Sequence, residues 1–591
     1  MPGIAGLFSR SPSSERTNLV QTMIGTMRHE ASYRSGTEEF QTLGFSVGWT
    51  AHPGSFAETP VWNETGDVCL IFTGECFADG GMTLLQIVQL YKECGVAFLE
   101  RLNGWFSGVL IDLRLQRAFL FNDRYGLSRI YTHQTTETFY FASEAKALLR
   151  ILPTLRQLDL AGLAEQFSFG CTLQNRTLFH GISLLPPGSV WRFSSECAVK
   201  KEFYFQPKVW EDQAPLDAES FYSALRDSFP KWLAPYLGGE QKVGMSLTGG
   251  LDGRMIMAWA KSSPGSLPCY SFGGTYRDCA DVRLARKIAA LCGQSHQVIP
   301  VDGNFLRDFQ SLAEKAVRIS DGTMDVTGAV EIYANRFARE IAPVRLTGNY
   351  GSEILRGNVA FRPGSNDISL LTPEFSSLLS TAAQTYTSEA SGNRTTFIAF
   401  KQVPWHHYSR LSVEQSQLTL RSPFLDNDLV SLVYRAPREA VASALPALRL
   451  IADGRPALGE MPTDRGLLLR PTTLTPLQNF WQETTVRAEY AYDYGMPSWL
   501  AKVDYALSPL HLERLFLGRH KFYHFRVWYR DQLAARVKEV MLDPRSLSRP
   551  YIEGKQVEKM VNEHTRGRQN HTRSIHKLLT AELTQRQLLE P

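Results

Sequence analysis

At 591 residues the chain is longer than one hydrophobic core usually serves, so two or more domains are expected. Hydrophobic residues at 43% and charged residues at 21% exclude a largely disordered or fibrous chain. With 63 Lys plus Arg against 59 Asp plus Glu, a net +4, charge gives no reason to invoke nucleic acid or a membrane surface as partner.

From residue 3 to about 145, short apolar segments separated by turns predict strands over 3–9, 45–49, 68–72, 105–113, 117–122, 131–135 and 138–142, with one helical pattern over 83–91. This is the pattern of an α+β domain rich in antiparallel sheet. Pro186-Pro187-Gly188 and the breaker-rich stretch 204–214 place a boundary near residue 210, which divides 1–210 from 211–591. Beyond it a helix over 220–229 ends before Pro230. Strand 242–246, helix 254–261, strand 268–272, helix 281–291 and strand 296–301 then alternate as in βαβ units, which predicts an α/β domain with a parallel sheet. From about residue 331 helical patterns dominate, and only 344–346 reads as a further buried strand.

Eight cysteines without a CxxC pair fit buried thiols in a reducing compartment better than disulfides or a zinc site. Residues 1–34 carry no basic-then-apolar leader, and no run of 18 apolar residues occurs, so a cytoplasmic protein is expected. The basic stretch 566–577 reads as the solvated face of a terminal helix, or as a dock for an acidic substrate or partner. Neither a homodimer nor a monomer is indicated.

The most informative segment is Ser246-Leu247-Thr248-Gly249-Gly250-Leu251-Asp252-Gly253. An apolar strand runs into a hydroxyl and two glycines, and a helix then opens with Asp252 in its first turn. Glycines let backbone amides approach an anion, a helix N-terminus adds its dipole, and the acid can hold Mg²⁺ against a pyrophosphate. The spacing is neither a Walker A loop nor a GxGxxG dinucleotide loop.

This loop resembles the SGGxDS pyrophosphate loop of the N-type ATP pyrophosphatases, with Thr248 for the first Ser and Gly253 for the last. Elements in the same order along the chain then make it similar to the asparagine synthetase family: Gly3-Ile4-Ala5-Gly6, Arg101-Leu102-Asn103-Gly104-Trp105-Phe106, Asn122-Asp123-Arg124-Tyr125-Gly126, Phe141-Ala142-Ser143-Glu144-Ala145-Lys146-Ala147-Leu148, Arg176-Thr177-Leu178-Phe179 with Leu185-Pro186-Pro187-Gly188, and Arg421-Ser422-Pro423-Phe424-Leu425-Asp426. The resemblance implies an Ntn-hydrolase-like class II glutaminase sandwich, followed by an ATP-pyrophosphatase domain with a helical C-terminal region.

By the same resemblance Phe272 meets adenine and Leu247 packs the nucleotide's other side. Asp281 is the surviving acid of the family's Asp-Glu pair, or a plain helix cap. Thr347 and Gly348 belong to a second pyrophosphate element, Leu346 to Glu353. An ungapped match puts Asn349 and Ser352 at the family's acids; one extra residue instead aligns Tyr350-Gly351-Ser352-Glu353 with the YGSD of β-lactam synthetases, whose Tyr belongs to a base dyad. The second match is preferred because Glu353 then joins Asp252 as a Mg²⁺ ligand. Arg465 falls at the lysine that neutralises pyrophosphate, or is a solvent-facing arginine in a loop.

Against the family pattern, Pro2 stands where a residue-2 thiol should attack glutamine, Thr73-Gly74-Glu75 replaces Asn-Gly-Glu, Ala51 falls near the carboxylate-gripping arginine, and the amine-binding acids are absent around 80–83. Cys76 has no α-amine beside it and is not a convincing substitute. The expected function is an amide-forming ligase that uses ATP and Mg²⁺ to convert a carboxylate to acyl-AMP, with an amine or ammonia as acceptor and no glutamine hydrolysis. The acyl donor is aspartate, as in asparagine synthetase proper, or a precursor-peptide or other carboxylate, as in lasso-peptide cyclases and β-lactam synthetases; a non-catalytic ATP-binding protein is the third alternative.

Overall fold

The computed structural model describes residues 2–9, 15–194, 199–470, 475–496, 498–507, 510, 512–515 and 517–590. Twelve strands build the N-terminal part: β1 (Gly3–Ser9), β2 (Arg34–Phe40), β3 (Phe45–Ala51), β4 (Val61–Trp62), β5 (Val68–Gly74), β6 (Phe106–Asp112), β7 (Arg117–Asn122), β8 (Tyr131–Gln134), β9 (Thr138–Ala142), β10 (Ser183–Leu184), β11 (Ser189–Ser194) and β12 (Lys200–Phe203). They form two antiparallel six-stranded sheets, ordered β10-β8-β9-β1-β3-β2 and β12-β11-β7-β6-β5-β4.

The two-residue side-chain period explains the layering. In β5, Cys69 and Ile71 meet Ile4, Phe45, Val47 and Phe141 between the sheets, whereas Val68, Leu70 and Phe72 pack on the other face beneath helix Leu84–Cys94. That helix starts at Thr83, whose side chain and Gln86 form a reciprocal capping box. Helices Arg16–Met27 and Ala145–Ile151 cover the outer face of the first sheet, so the order of layers is helix, sheet, sheet, helix. Helix Arg16–Met27 and strand β2 were not visible in the sequence. The helix buries Val20, Met23, Ile24 and Met27 among polar residues, and β2 reads RSGTEEF, an edge strand with little apolar content.

The second sheet system is parallel: β13 (Val243–Ser246), β14 (Cys269–Gly274), β15 (His296–Val301), β16 (Val344–Thr347) and β17 (Thr419–Arg421), ordered β15-β14-β13-β16-β17. The chain builds outward from β13 to β15, then crosses over to add β16 and β17 on the other side. The reversal puts a crevice at the C-terminal ends of β13 and β16, where doubly wound sheets bind ligands. β17 escaped the sequence reading because it is three residues long. The helix expected to stop before Pro230 runs Ala218–Leu237 through Pro230 and Pro235. Phe229, Leu233 and Tyr236 are buried in the large core and hold it helical despite the lost amides.

Motifs from the two parts meet across their junction. Asn103 Nδ2 donates to Asp426 Oδ2 at 2.7 Å, and Asn427 Nδ2 donates to the Leu102 carbonyl at 3.0 Å. Arg421 donates to both carboxylate oxygens of Glu75 at 2.6 and 2.8 Å. In the basic stretch 566–577 Arg566, Arg568 and Arg573 are exposed, as a solvated face requires, whereas His576 is buried, its Nδ1 3.0 Å from the Tyr529 hydroxyl, and Lys577 Nζ donates to Asn366 Oδ1 at 2.6 Å. Of the seven described cysteines six are buried and Cys94 is exposed, while Cys197 lies outside the described residues. Among the described residues no helix is long and apolar enough to cross a membrane.

Candidate active site

Ser246 and Thr347 are paired neighbours at the ends of β13 and β16, so the segments 247–250 and 348–350 leave the sheet side by side. Helix Leu251–Trp259 follows the first with Asp252 in its opening turn, and the short helix Gly351–Arg356 follows the second with Glu353 in its own. The two turns touch. A Cβ on Gly348 would lie 2.5 Å from the Gly253 amide nitrogen, and one on Gly351 would lie 2.7 Å from Cγ of Asp252, so glycine at both positions lets the second turn close on the first. Between them Tyr350 has φ +72°, the left-handed region that a bulky residue rarely adopts and that clusters at functional sites.

Asp252 sits at this contact. Arg356 Nη2 donates to its two carboxylate oxygens at 3.0 and 3.2 Å. Burial, helped by the charge of Glu353, pushes the Asp252 carboxyl up to about 6, although Arg356 opposes the rise. Glu353 accepts from Ser352 Oγ at 2.8 Å and stands 3.8 Å from His407 Nε2.

A cleft of about 390 Å³ opens here. Ser246, Leu247, Thr248, Gly250, Asp252, Gly253, Phe272, Thr347, Gly348, Tyr350 and Glu353 border it, so the structure brings most of the sequence-predicted residues together. Leu247 is fully buried, and Phe272, half-buried, has the Phe522 ring 6.0 Å away. Asn349 and Ser352, the alternative acid positions, also border the cleft. Leu251 is buried in the core behind the loop.

Gly249 donates its amide to Asp281 Oδ1 at 2.8 Å, which ties the loop to the start of helix Ala280–Leu291, and Asp281 borders the cleft. Arg465 does not border the cleft. It is exposed in the segment that packs on Gly249 through the Asp464 amide, where its charge acts on Asp281. Arg254, buried behind the loop, donates to the Gly249 and Pro462 carbonyls at 3.0 and 3.1 Å and so fixes that segment to the loop.

Burial and the Asp464 charge raise the Asp281 carboxyl to about 6, against the Gly249 amide and Arg465. The unfolded chain releases this proton near pH 4, so between about pH 4 and 6 the folded state alone retains it, and this group's contribution to stability falls as pH rises through that window. Asp281→Asn keeps an acceptor for Gly249 and removes the buried charge. Thermal melts should therefore show the variant gaining on wild type at pH 7.5 and converging with it at pH 4; an offset independent of pH would contradict this.

Sequence reasoning missed a second wall. Arg345, in the middle of β16, donates to Ser246 Oγ at 3.0 Å and to Asn335 Oδ1 at 2.9 Å, with its guanidinium 5.3 Å from the Phe272 ring centre. His407, Arg410, Leu411 and Glu414 line the cleft at the spacing of one helix face; a π-helical stretch, Ile398–His407, gives way to helix Tyr408–Gln415 here. Burial drives the His407 imidazole down to about 3, so it is neutral, and its buried Nε2 has no hydrogen-bond partner. Arg410 pairs with Glu331 at 2.5 Å and Glu414 at 3.2 Å. The i, i+3, i+4, i+7 spacing was available in the sequence, but nothing in it separates this face from any other helix of the region.

Comparison with known proteins agrees with this layout. Residues 85–204 match a glutamine amidotransferase domain and residues 224–444 match asparagine synthase. The chain belongs to the asparagine synthase family. It is a distant member: the glutamine-hydrolyzing asparagine synthetase 1 of Bacillus subtilis is 22% identical over 394 residues, 61% of this chain and 60% of that protein. Asparagine synthetase 2 of the same organism is 23% identical over 293 residues, 44% and 38% of the two chains. A probable asparagine synthetase of Schizosaccharomyces pombe is 27% identical over 177 residues, 29% and 26% of the two chains. The chain thus spans less than two thirds of the length of these relatives.

Pro2, Ala51, His52, Thr73 and Glu75 border a chamber of only about 70 Å³, room for a few waters, which Trp105, Leu411 and Leu418 also wall. Glu75 is engaged by Arg421. Leu411 borders both this chamber and the cleft, and Trp105 meets the Tyr350 ring edge-on at 5.8 Å.

Proposed function

We propose that this chain is an ATP- and Mg²⁺-dependent ligase that converts a carboxylate to acyl-AMP, releases pyrophosphate, and passes the acyl group to an amine or ammonia without hydrolysing glutamine. The observation that carries the reading is the contact of two glycine turns around Asp252 at the switch point of the parallel sheet. We place the boundary between the glutaminase-like and ligase units near residue 210, after β12 and before helix Ala218–Leu237.

The donor set fits Mg²⁺ carried on phosphates, which takes one or two protein carboxylates rather than a full cage. Asp252 and Glu353 are close enough to act on each other's charge, and among the described residues no cluster of three or more ligating side chains occurs. When bound, the ion would neutralise pyrophosphate charge. The chain's own part is positioning and electrostatics. The N-terminus of helix Leu251–Trp259 faces the phosphates, the Gly249 amide is kept by Asp281, and Phe272 offers its ring to adenine. Arg345 supplies positive charge from inside the cleft, Arg356 through its contact with Asp252, and Arg465 from beside Asp281.

On the acceptor side stand Tyr350, Glu353 and His407. Burial, with the charges of Glu414 and Glu353, raises the Tyr350 hydroxyl well above its ordinary range, so it remains protonated and donates a hydrogen bond to a developing oxyanion. The missing thiol at residue 2 favours an acceptor amine that the substrate itself brings, as in the tailoring ligases, over ammonia released from glutamine.

Incubation of the full chain with ATP, Mg²⁺ and candidate carboxylates tests the reading. The expected result is carboxylate-dependent AMP and pyrophosphate with ammonium or an amine, and glutamate release from glutamine no faster than a protein-free blank. ADP in place of AMP would reject adenylation, and glutamate above the blank would reject the loss of glutaminase chemistry.

A further inference from the structure

A cavity of about 450 Å³ that shares no residue with the cleft lies between the two parts of the molecule. Helices Arg16–Met27 and Ala145–Ile151 border it from the sandwich side, and helix Gly303–Ile319 with the terminal turn Gln585–Leu589 from the other. Its lining holds four cations, Lys146, Arg150, Arg156 and Arg318, and no carboxylate.

The four are not equivalent. Lys146 is buried and already bonded, its Nζ 2.5 Å from Glu144 and 3.3 Å from Asp321. Arg156 is held in place by a 3.1 Å bond from Nε to the Leu149 carbonyl. Arg150 and Arg318 are exposed at the cavity, and among the described residues neither guanidinium has a hydrogen-bond or ion-pair partner. They stand on opposite sides, one on the sandwich and one on the ligase unit. Arg150, Arg156 and Arg318 border one cavity whose lining holds no carboxylate, and an anion seated there would neutralise their charge. Guanidinium forks match phosphate oxygens two at a time, while buried Leu149 and Leu588 give the lining an apolar component.

We propose that this cavity is a second ligand site, one that takes a phosphate-bearing small molecule of nucleotide size. A ligand bonded to Arg150 and Arg156 on one side and to Arg318 on the other fastens the sandwich to the ligase unit. The site does not depend on the chemistry proposed for the cleft.

Calorimetric titration of the full chain with inorganic pyrophosphate, beside Arg150→Glu/Arg318→Glu, tests the proposal. Any binding in the cleft is common to both proteins. Wild type should show an additional event that weakens with added salt and that the double variant loses by roughly 100-fold, about tenfold for each guanidinium contact. Thermal melts check that the variant folds, and Arg318→Gln alone should lose about tenfold. Superimposable isotherms for wild type and the variants overturn the proposal. ADP in place of pyrophosphate separates two sources of the same chemistry: tighter binding at this site identifies a nucleotide, equal binding a simple phosphate ester or polyphosphate, and no second event with either probe rejects the site.

Discussion

Asp252→Asn is expected to lower substrate-dependent conversion of ATP to AMP and pyrophosphate by about 100- to 1000-fold, the cost of removing one preorganised charged group from a transition-state site. The amide preserves the shape of the side chain and one acceptor for Arg356, but loses the charge proposed to hold Mg²⁺ against the phosphates. Its fold should survive, because the carboxyl is buried and pushed up to about 6, so the charge it carries at neutral pH is an expense to the folded state rather than a support. Steady-state pyrophosphate release beside a thermal melt separates the two effects. Near-normal turnover in a folded variant would show that the two glycine turns do not form a pyrophosphate site.

Much of this site was legible because its residues follow one another along the chain. A strand, two glycines and an acid opening a helix is a local pattern, and each piece does in the fold what the pattern requires: β13 delivers the loop, Gly250 precedes the helix, and Asp252 occupies its first turn. The same holds for Thr347 to Glu353 after β16. The second wall was not legible because it is assembled from distance. Arg345 faces the cleft only because β16 lies beside β13, and His407 to Glu414 face it only because helix Tyr408–Gln415 packs against β17 at the sheet's edge.

The fold shows the same division. Strands with apolar side chains on both faces, such as Gly3–Ser9 and Arg117–Asn122, stand where the sequence put them, since a segment buried on both faces must be apolar throughout. Elements that bury one narrow stripe did not announce themselves: helix Arg16–Met27 has no acid in its first turn, no side-chain cap and a scattered apolar stripe. Arg465 illustrates a further limit. Its short motif aligns it with a family lysine, yet the fold stations it outside the loop, and Arg345, which no motif marks, carries the inner charge.

Glu75 and Arg421 show how a residue from one unit becomes structural for the whole chain, and Arg421→Met should cost about 3–5 kcal/mol of stability, the range for removing one partner of a buried ion pair. Both side chains are nearly buried, at 12% and 7% exposure, and Arg421 Nη1 also donates to the Tyr236 and Gly238 carbonyls at 3.1 and 2.6 Å. Methionine fills similar space without a single donor, so a buried carboxylate and two carbonyls lose their partner together. Glu75→Gln should cost less, because the guanidinium keeps both carbonyls and an amide oxygen still accepts from it. The double variant should cost less than the sum of the two singles, since residues that share one interaction couple when both are changed. Midpoints of urea denaturation for the four proteins measure this coupling, and strictly additive losses would show that the pair does not act as a unit in holding the sandwich to the ligase.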